Sequence, residues 1–100
     1  VRLLKAMAGN ADFTASLAVA GKSGTLAHRM TSSTATGRCF GKTGTLNGVT
    51  NLVGYCPVRN GGRIAFAILM NGTSAYKGHV RQDRIVNALA SWRRPASWKP

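Results

Sequence analysis

The sequence predicts an α+β fold: three antiparallel strands over residues 38–71 and a terminal helix over about 76–93, after a helical and irregular stretch over 1–37. Two turn signals and one change of period carry that prediction. Asn47-Gly48 and Asn60-Gly61-Gly62 separate three runs that suit strands, and Asn-Gly is the strongest short hairpin signal. After Asn71-Gly72 the apolar spacing turns helical, with Ile85 and Leu89 four apart and Val86 and Trp92 beside them. One hundred residues suffice for one small domain.

The elements follow in order. Val1, Leu4 and Ala8 share a helical face, Leu3 and Met7 flank it, and Gly9-Asn10 ends it. Residues 13–20 are apolar without a clean period, which predicts irregular buried chain. Residues 24–30 predict a short helix with Leu26 and Met30 four apart, and the Ser/Thr-rich run 31–37 a loop. The strands are placed at 38–46, 49–58 and 63–71. The third contains Ile64-Ala65-Phe66-Ala67-Ile68-Leu69-Met70, nearly all apolar, as expected of a strand covered on both faces. The last helix has its clearest period over 80–92; Arg93-Arg94 suit the negative end of its dipole and Pro95 stops it.

Fourteen Lys and Arg stand against two Asp and Glu, a formal net charge of +12. That charge permits anionic partners. The cations are spread from Arg2 to Lys99, however, with Arg93-Arg94 the only adjacent pair, and no aromatic-interleaved basic stripe is present. Nucleic acid is therefore not an expected partner. Cys39, Cys56, His28 and His79 lack zinc-ligand spacing, and no metal or other cofactor is expected. Both histidines read as solvated helix residues. With only Asp12 and Asp83 as carboxylates, a Ser-His-Asp triad has no support. No apolar run approaches the roughly 20 residues of a transmembrane segment.

The chemistry-bearing motif is Gly41-Lys42-Thr43-Gly44-Thr45-Leu46, at the end of a strand and just before the Asn-Gly turn. A cation, a hydroxyl and a glycine on a sheet rim can hold a carboxylate without crowding it. The next backbone N–H, on Thr45, can then point at a reacting carbonyl oxygen. A near-copy, Gly21-Lys22-Ser23-Gly24-Thr25-Leu26, lies twenty residues earlier, but Lys22 precedes a helix rather than a hairpin and reads as a solvated loop lysine. Neither copy makes a phosphate-binding loop, because Thr36 and Ser16 stand where its first glycine belongs. Ser74-Ala75-Tyr76-Lys77 matches Ser-x-x-Lys but follows the third strand, and reads as a chance match.

The cysteines have a geometric reading. A two-residue turn pairs Leu46 with Val49, so partners sum to 95, as Cys39 and Cys56 do. They fall on a non-hydrogen-bonded pair, where Cα atoms approach to about 4.5 Å, within a disulfide's reach. The alternative is two buried free thiols. The bridge is the favoured reading, and with it an oxidising compartment.

From about Leu3 to Trp92 the chain resembles the C-terminal part of serine-type D-alanyl-D-alanine carboxypeptidases and endopeptidases, the low-molecular-mass penicillin-binding proteins. The resemblance rests on Ser16-Leu17-Ala18-Val19-Ala20-Gly21 leading to Gly24-Thr25-Leu26, Arg29-Met30 and Gly37-Arg38. It continues through Lys42-Thr43-Gly44-Thr45-Leu46, Gly54-Tyr55 and Phe66-Ala67-Ile68-Leu69 with Asn71. Lys22 stands where that family usually shows another residue.

The resemblance implies the C-terminal piece of a penicilloyl-serine transferase fold, a β-lactamase/transpeptidase-like sheet flanked by helices. It implies a serine acyl-enzyme acting on peptidoglycan stem peptides ending in D-Ala-D-Ala, inhibited by β-lactams. Lys42 and Thr43 would bind the terminal carboxylate, Gly44 would leave room for backbone approach, and the Thr45 N–H would be half of the oxyanion hole. The family's Ser-x-x-Lys and Ser-x-Asn elements, which lie upstream of Lys-Thr-Gly, are absent here. The expectation is a fragment, inactive alone, partnered by the missing N-terminal part of the same domain, in an exported protein, periplasmic or associated with the cell wall. Two alternatives stand beside it: a β-lactamase of the same fold, and a non-catalytic basic module binding nucleic acid or acidic cell-wall polymer.

Overall fold

The structure, a computed structural model, describes residues 1–46 and 48–93, and at Thr45 and Leu46 the backbone alone. Asn47 of the expected turn, and Arg94 and Pro95 of the expected helix stop, lie outside the described residues.

Helices α1 (Arg2–Met7) and α2 (Ala11–Ala15) lead into a short strand β1 (Ala18–Val19) and a 3-10 turn (Gly24–Leu26). Strands β2 (Phe40–Leu46), β3 (Val49–Pro57) and β4 (Arg63–Asn71) follow, and α3 (Ala75–Ser91) closes the order. The sheet is antiparallel throughout, in the order β1-β2-β3-β4.

The hairpin register is the one predicted: Leu46 faces Val49 and Phe40 faces Tyr55. One step beyond, Cys39 and Cys56 are joined by a disulfide, with their Cα atoms 4.3 Å apart. Gly41 and Gly54 face each other beside it, and a Cβ on either would collide with the backbone of the opposite strand. No side chain fits there, so β2 and β3 press together immediately before Lys42.

Strand alternation divides the core in two. On one face Leu52, Cys56 and Phe66 pack with Leu26, Val86 and Ala90, which lays α3 across the sheet. Gly78 brings α3 close, since a Cβ there would overlap the Thr50 methyl. Complete burial of a side chain such as Val86 stabilises by about 1.5–3 kcal/mol. On the other face Tyr55 packs with Leu4 and Leu17, and its hydroxyl donates to the Leu4 carbonyl.

Several expectations need correction. Residues 13–20 are not irregular. Asn10 caps α2, its Oδ1 accepting from the Phe13 N–H at 2.9 Å, so the residue read as a helix stop is also a helix start. Ala18 and Val19 then pair with Gly41 and Phe40, giving the sheet a fourth strand. The helix expected over 24–30 shrinks to one 3-10 turn, with Gly24 and Met30 at φ 56° and 55°. Arg38 and Cys39 lie ahead of β2, because their N–H groups donate to the Ala35 carbonyl at 2.9 and 3.0 Å in a turn, while the Arg38 guanidinium bonds the Ala90 and Pro57 carbonyls.

Strand β4 is not covered on both faces among the described residues. It is an edge strand, Phe66 is its one buried residue, and Leu69 is 69 % exposed. Helix α3 starts at Ala75, ahead of its clear periodicity, because Ser74 caps it, and it ends at Ser91 before Arg93. His28 sits in a turn rather than a helix, and His79 is half-buried.

Candidate functional site

Lys42 sits on β2 opposite Val53, exposed, one residue past the close glycine pair. Its Nζ donates to the Thr43 carbonyl at 2.8 Å. The chain has two carboxylate side chains, and Asp83 is held by Arg29 at 2.6 Å. Among the described residues, Lys42 is paired with no carboxylate. Its charge is available to an external anion.

The Thr43 hydroxyl meets the Thr25 hydroxyl at 2.8 Å. Gly44 faces Asn51, and a Cβ at Gly44 would stand 2.6 Å from the Asn51 Oδ1. The missing side chain is thus filled by a carboxamide from the neighbouring strand.

The direction of the Thr45 N–H follows from strand pairing. The Ala20 N–H donates to the Cys39 carbonyl at 2.9 Å, and Ala18 pairs with Gly41. Odd-numbered residues of β2 therefore turn their polar backbone groups toward β1, and alternation extends this to Thr43 and Thr45. Strand β1 begins only at Ala18, opposite Gly41, so it does not reach them. The Thr43 carbonyl and the Thr45 N–H lie on an edge of β2 that no described strand covers.

Beside this edge is a cleft of about 350 Å³, lined by Ser16, Ser23, Thr25 and Lys42 among others. Lys42 and Ser16 also border an apolar groove of about 700 Å³ floored by Leu4, Leu17, Val53 and Ala67. A cation and polar groups at the rim of an apolar groove suit a ligand with one anionic end.

The near-copy at 21–26 packs beside the motif, with Lys22 exposed in a turn, as expected. Lys22 lays its stem over Gly37, its Cε 3.6 Å from where a Cβ would stand. Ser23 Oγ accepts the Val19 N–H at 2.9 Å, which pins the turn to β1. Leu26 is in the core and Arg29 is tied to α3, donating to Asp83 and Gln82. Thr25 is thereby fixed against Thr43. Sequence reasoning missed Thr25 and Asn51. The sum of 95 that paired the cysteines also pairs Gly44 with Asn51, so Asn51 could have been found. Contact between the two copies had no local signal.

Ser74 and Lys77 are a helix cap. Ser74 Oγ accepts the Lys77 backbone N–H at 3.2 Å, and both side chains are exposed. The preceding strand ends at Asn71 opposite Val49, four residues along β3 from the partner of Lys42, about 13 Å at the usual strand rise. His79 borders the Arg29–Asp83 pair. Burial lowers its pKa from the ordinary value of 6.5, Arg29 lowers it further, and Asp83 opposes them. Among the described residues no three of His, Cys, Asp and Glu gather where they could hold a metal. No described helix is long and apolar enough to cross a membrane.

Comparison with known proteins places the chain among close relatives. The model of the D-Ala-D-Ala carboxypeptidase 3 (S13) family matches residues 3–92. A D-alanyl-D-alanine carboxypeptidase of Actinomadura sp. (strain R39) is 44 % identical over 85 residues, covering 80 % of this chain and 16 % of the relative. The crystal structure of penicillin-binding protein 4 from Haemophilus influenzae superposes with a TM-score of 0.78 at 27 % identity, over 91 % of this chain and 23 % of that one. The chain thus spans about a sixth of the length of the curated relative it matches.

Proposed function

This chain belongs to the D-Ala-D-Ala carboxypeptidase 3 (S13) family, and we propose that it forms one wall of that family's active site in a larger catalytic domain. The substrate is a peptidoglycan stem peptide ending in D-Ala-D-Ala. Its terminal carboxylate binds the Lys42 ammonium and the Thr43 hydroxyl. Gly44 keeps the strand narrow enough for the peptide to run alongside it. The carbonyl oxygen of the penultimate D-Ala receives the Thr45 N–H as half of an oxyanion hole, a donor that stabilises charge only as it develops.

A serine outside these 100 residues attacks that carbonyl, D-Ala leaves, and water then releases the shortened peptide from the acyl-enzyme. The observation that carries this reading is the uncovered edge of β2. There an ammonium with no carboxylate partner among the described residues, a hydroxyl and an outward N–H follow one another along one strand, at Lys42, Thr43 and Thr45. β-Lactams, which present a carboxylate beside a strained acyl group, take the same place. The Ser-x-x-Lys at 74–77 has no part in the chemistry, since its serine caps α3. The chain alone is inactive, and the parent acts outside the cytoplasm, where its disulfide persists.

Labelling with a fluorescent penicillin tests the proposal. The 100-residue chain should take no covalent label, and the longer polypeptide carrying it should be labelled at a serine outside this segment. Label on Ser74, or on any serine of this chain, would overturn it.

A further inference from the structure

We infer that Thr25 is a positioning residue for the carboxylate anchor, donating its hydroxyl proton to Thr43 when Thr43 donates its own to a bound anion. The inference rests on the reading of Lys42 and Thr43 given above and adds a residue to it.

Two hydroxyls 2.8 Å apart share one proton between their oxygens, and either can be the donor. A carboxylate only accepts, so Thr43 must turn its proton to the ligand to bind it. That leaves the Thr43 oxygen with lone pairs and no donor, beside a new negative charge. Thr25 then donates to Thr43, and the chain Thr25–Thr43–carboxylate has every proton pointing toward the anion. Hydrogen bonds in such a chain polarise and strengthen one another.

The second part of the argument is rigidity. A hydroxyl can serve as a relay only where its oxygen does not move. Thr25 lies on the 3-10 turn between Gly24, where a Cβ would stand 2.9 Å from the Ala18 Cβ, and Leu26 in the core. Four residues after Thr25, Arg29 donates at 3.1 Å from Nε and 2.6 Å from Nη2 to Asp83 of α3. The turn is held between β1 and the terminal helix. Thr25 itself is exposed and lines the cleft that Lys42 borders.

The test uses the full-length carboxypeptidase carrying this chain, with a peptide ending in D-Ala-D-Ala and the same peptide ending in a carboxamide. Thr25→Val keeps the shape and removes the hydroxyl; Thr25→Ser keeps the hydroxyl. Thr25→Val should lower kcat/KM about fivefold for the carboxylate peptide, the size of one neutral hydrogen bond, and leave the amide nearly unchanged. Thr25→Ser should restore the wild-type ratio of the two. An equal loss on both peptides, or no rescue by serine, would mean that Thr25 only shapes the turn. Thr43→Val separates the two levels of the argument. If it lowers the carboxylate-to-amide ratio and Thr25→Val does not, the relay is refuted and the anchor stands. If neither variant changes the ratio, the anchor is refuted and the relay with it.

Discussion

Removing the Cys39–Cys56 disulfide should destabilise the hairpin that carries Lys42 by about 3 kcal/mol. The bridge spans 17 residues, and constraining a loop of that length in the unfolded chain is worth about that much at 25 °C. Both cysteines are buried in the core beside Leu52 and Val86, and a free thiol there behaves as a small apolar side chain. The tether is thus the main loss. At about 1.4 kcal/mol per tenfold, the unfolding equilibrium shifts a little more than a hundredfold. With the usual urea slopes of small proteins, the midpoint falls by roughly 1–3 M. Urea unfolding followed by far-UV circular dichroism, on the oxidised chain and on the same chain reduced, reads this directly. Thiol labelling of the denatured, unreduced chain should find no free thiol. Coincident urea midpoints would refute the entropic argument, and two labelled cysteines would refute the bridge itself.

Three further outcomes follow from the packing. Arg29→Ala strips Asp83 and Gln82 of their donor in a pair whose side chains are 12 % and 24 % exposed, and should cost about 1–3 kcal/mol in a denaturant melt. His79 has a folded pKa below its unfolded value, so its contribution is intact above about pH 6.5 and is lost as pH falls toward the lowered value; His79→Asn should flatten the stability profile on that acidic side. The open edge of β4, with Leu69 exposed, should make the isolated chain associate, and Leu69→Lys should shift it toward monomer in sedimentation velocity.

Legibility in the sequence tracked how local each determinant is. The Asn47-Gly48 turn set a register by simple counting, and that counting reached Phe40, Tyr55 and the two cysteines. Strand β1 escaped notice because two residues cannot display a period of two, and its pairing with Gly41 and Phe40 is non-local. Asn10 was legible as punctuation but ambiguous in direction, since one asparagine both follows α1 and caps α2. Ser74 shows the opposite hazard. Its three-residue spacing to Lys77 has the form of a nucleophile motif, and in three dimensions it is a helix cap. Of the proposed site, Lys42, Thr43 and the Thr45 N–H could be named from the sequence because they lie on one strand. Thr25 was not, because its contact with Thr43 depends on how the turn packs between β1 and α3.

The central claim is that Lys42, and not its near-copy Lys22, supplies the cation that holds the substrate's carboxylate. It is tested by the kcat/KM of the full-length enzyme on a peptide ending in D-Ala-D-Ala. Lys42→Ala removes a charged hydrogen-bond donor worth about 1.5–3 kcal/mol, so kcat/KM should fall roughly ten- to a hundredfold. Lys22→Ala and Lys77→Ala should change it less than about twofold, because neither removes a contact at the β2 edge. A Lys42→Ala enzyme with wild-type kcat/KM, or a larger loss from Lys22→Ala, would contradict the account.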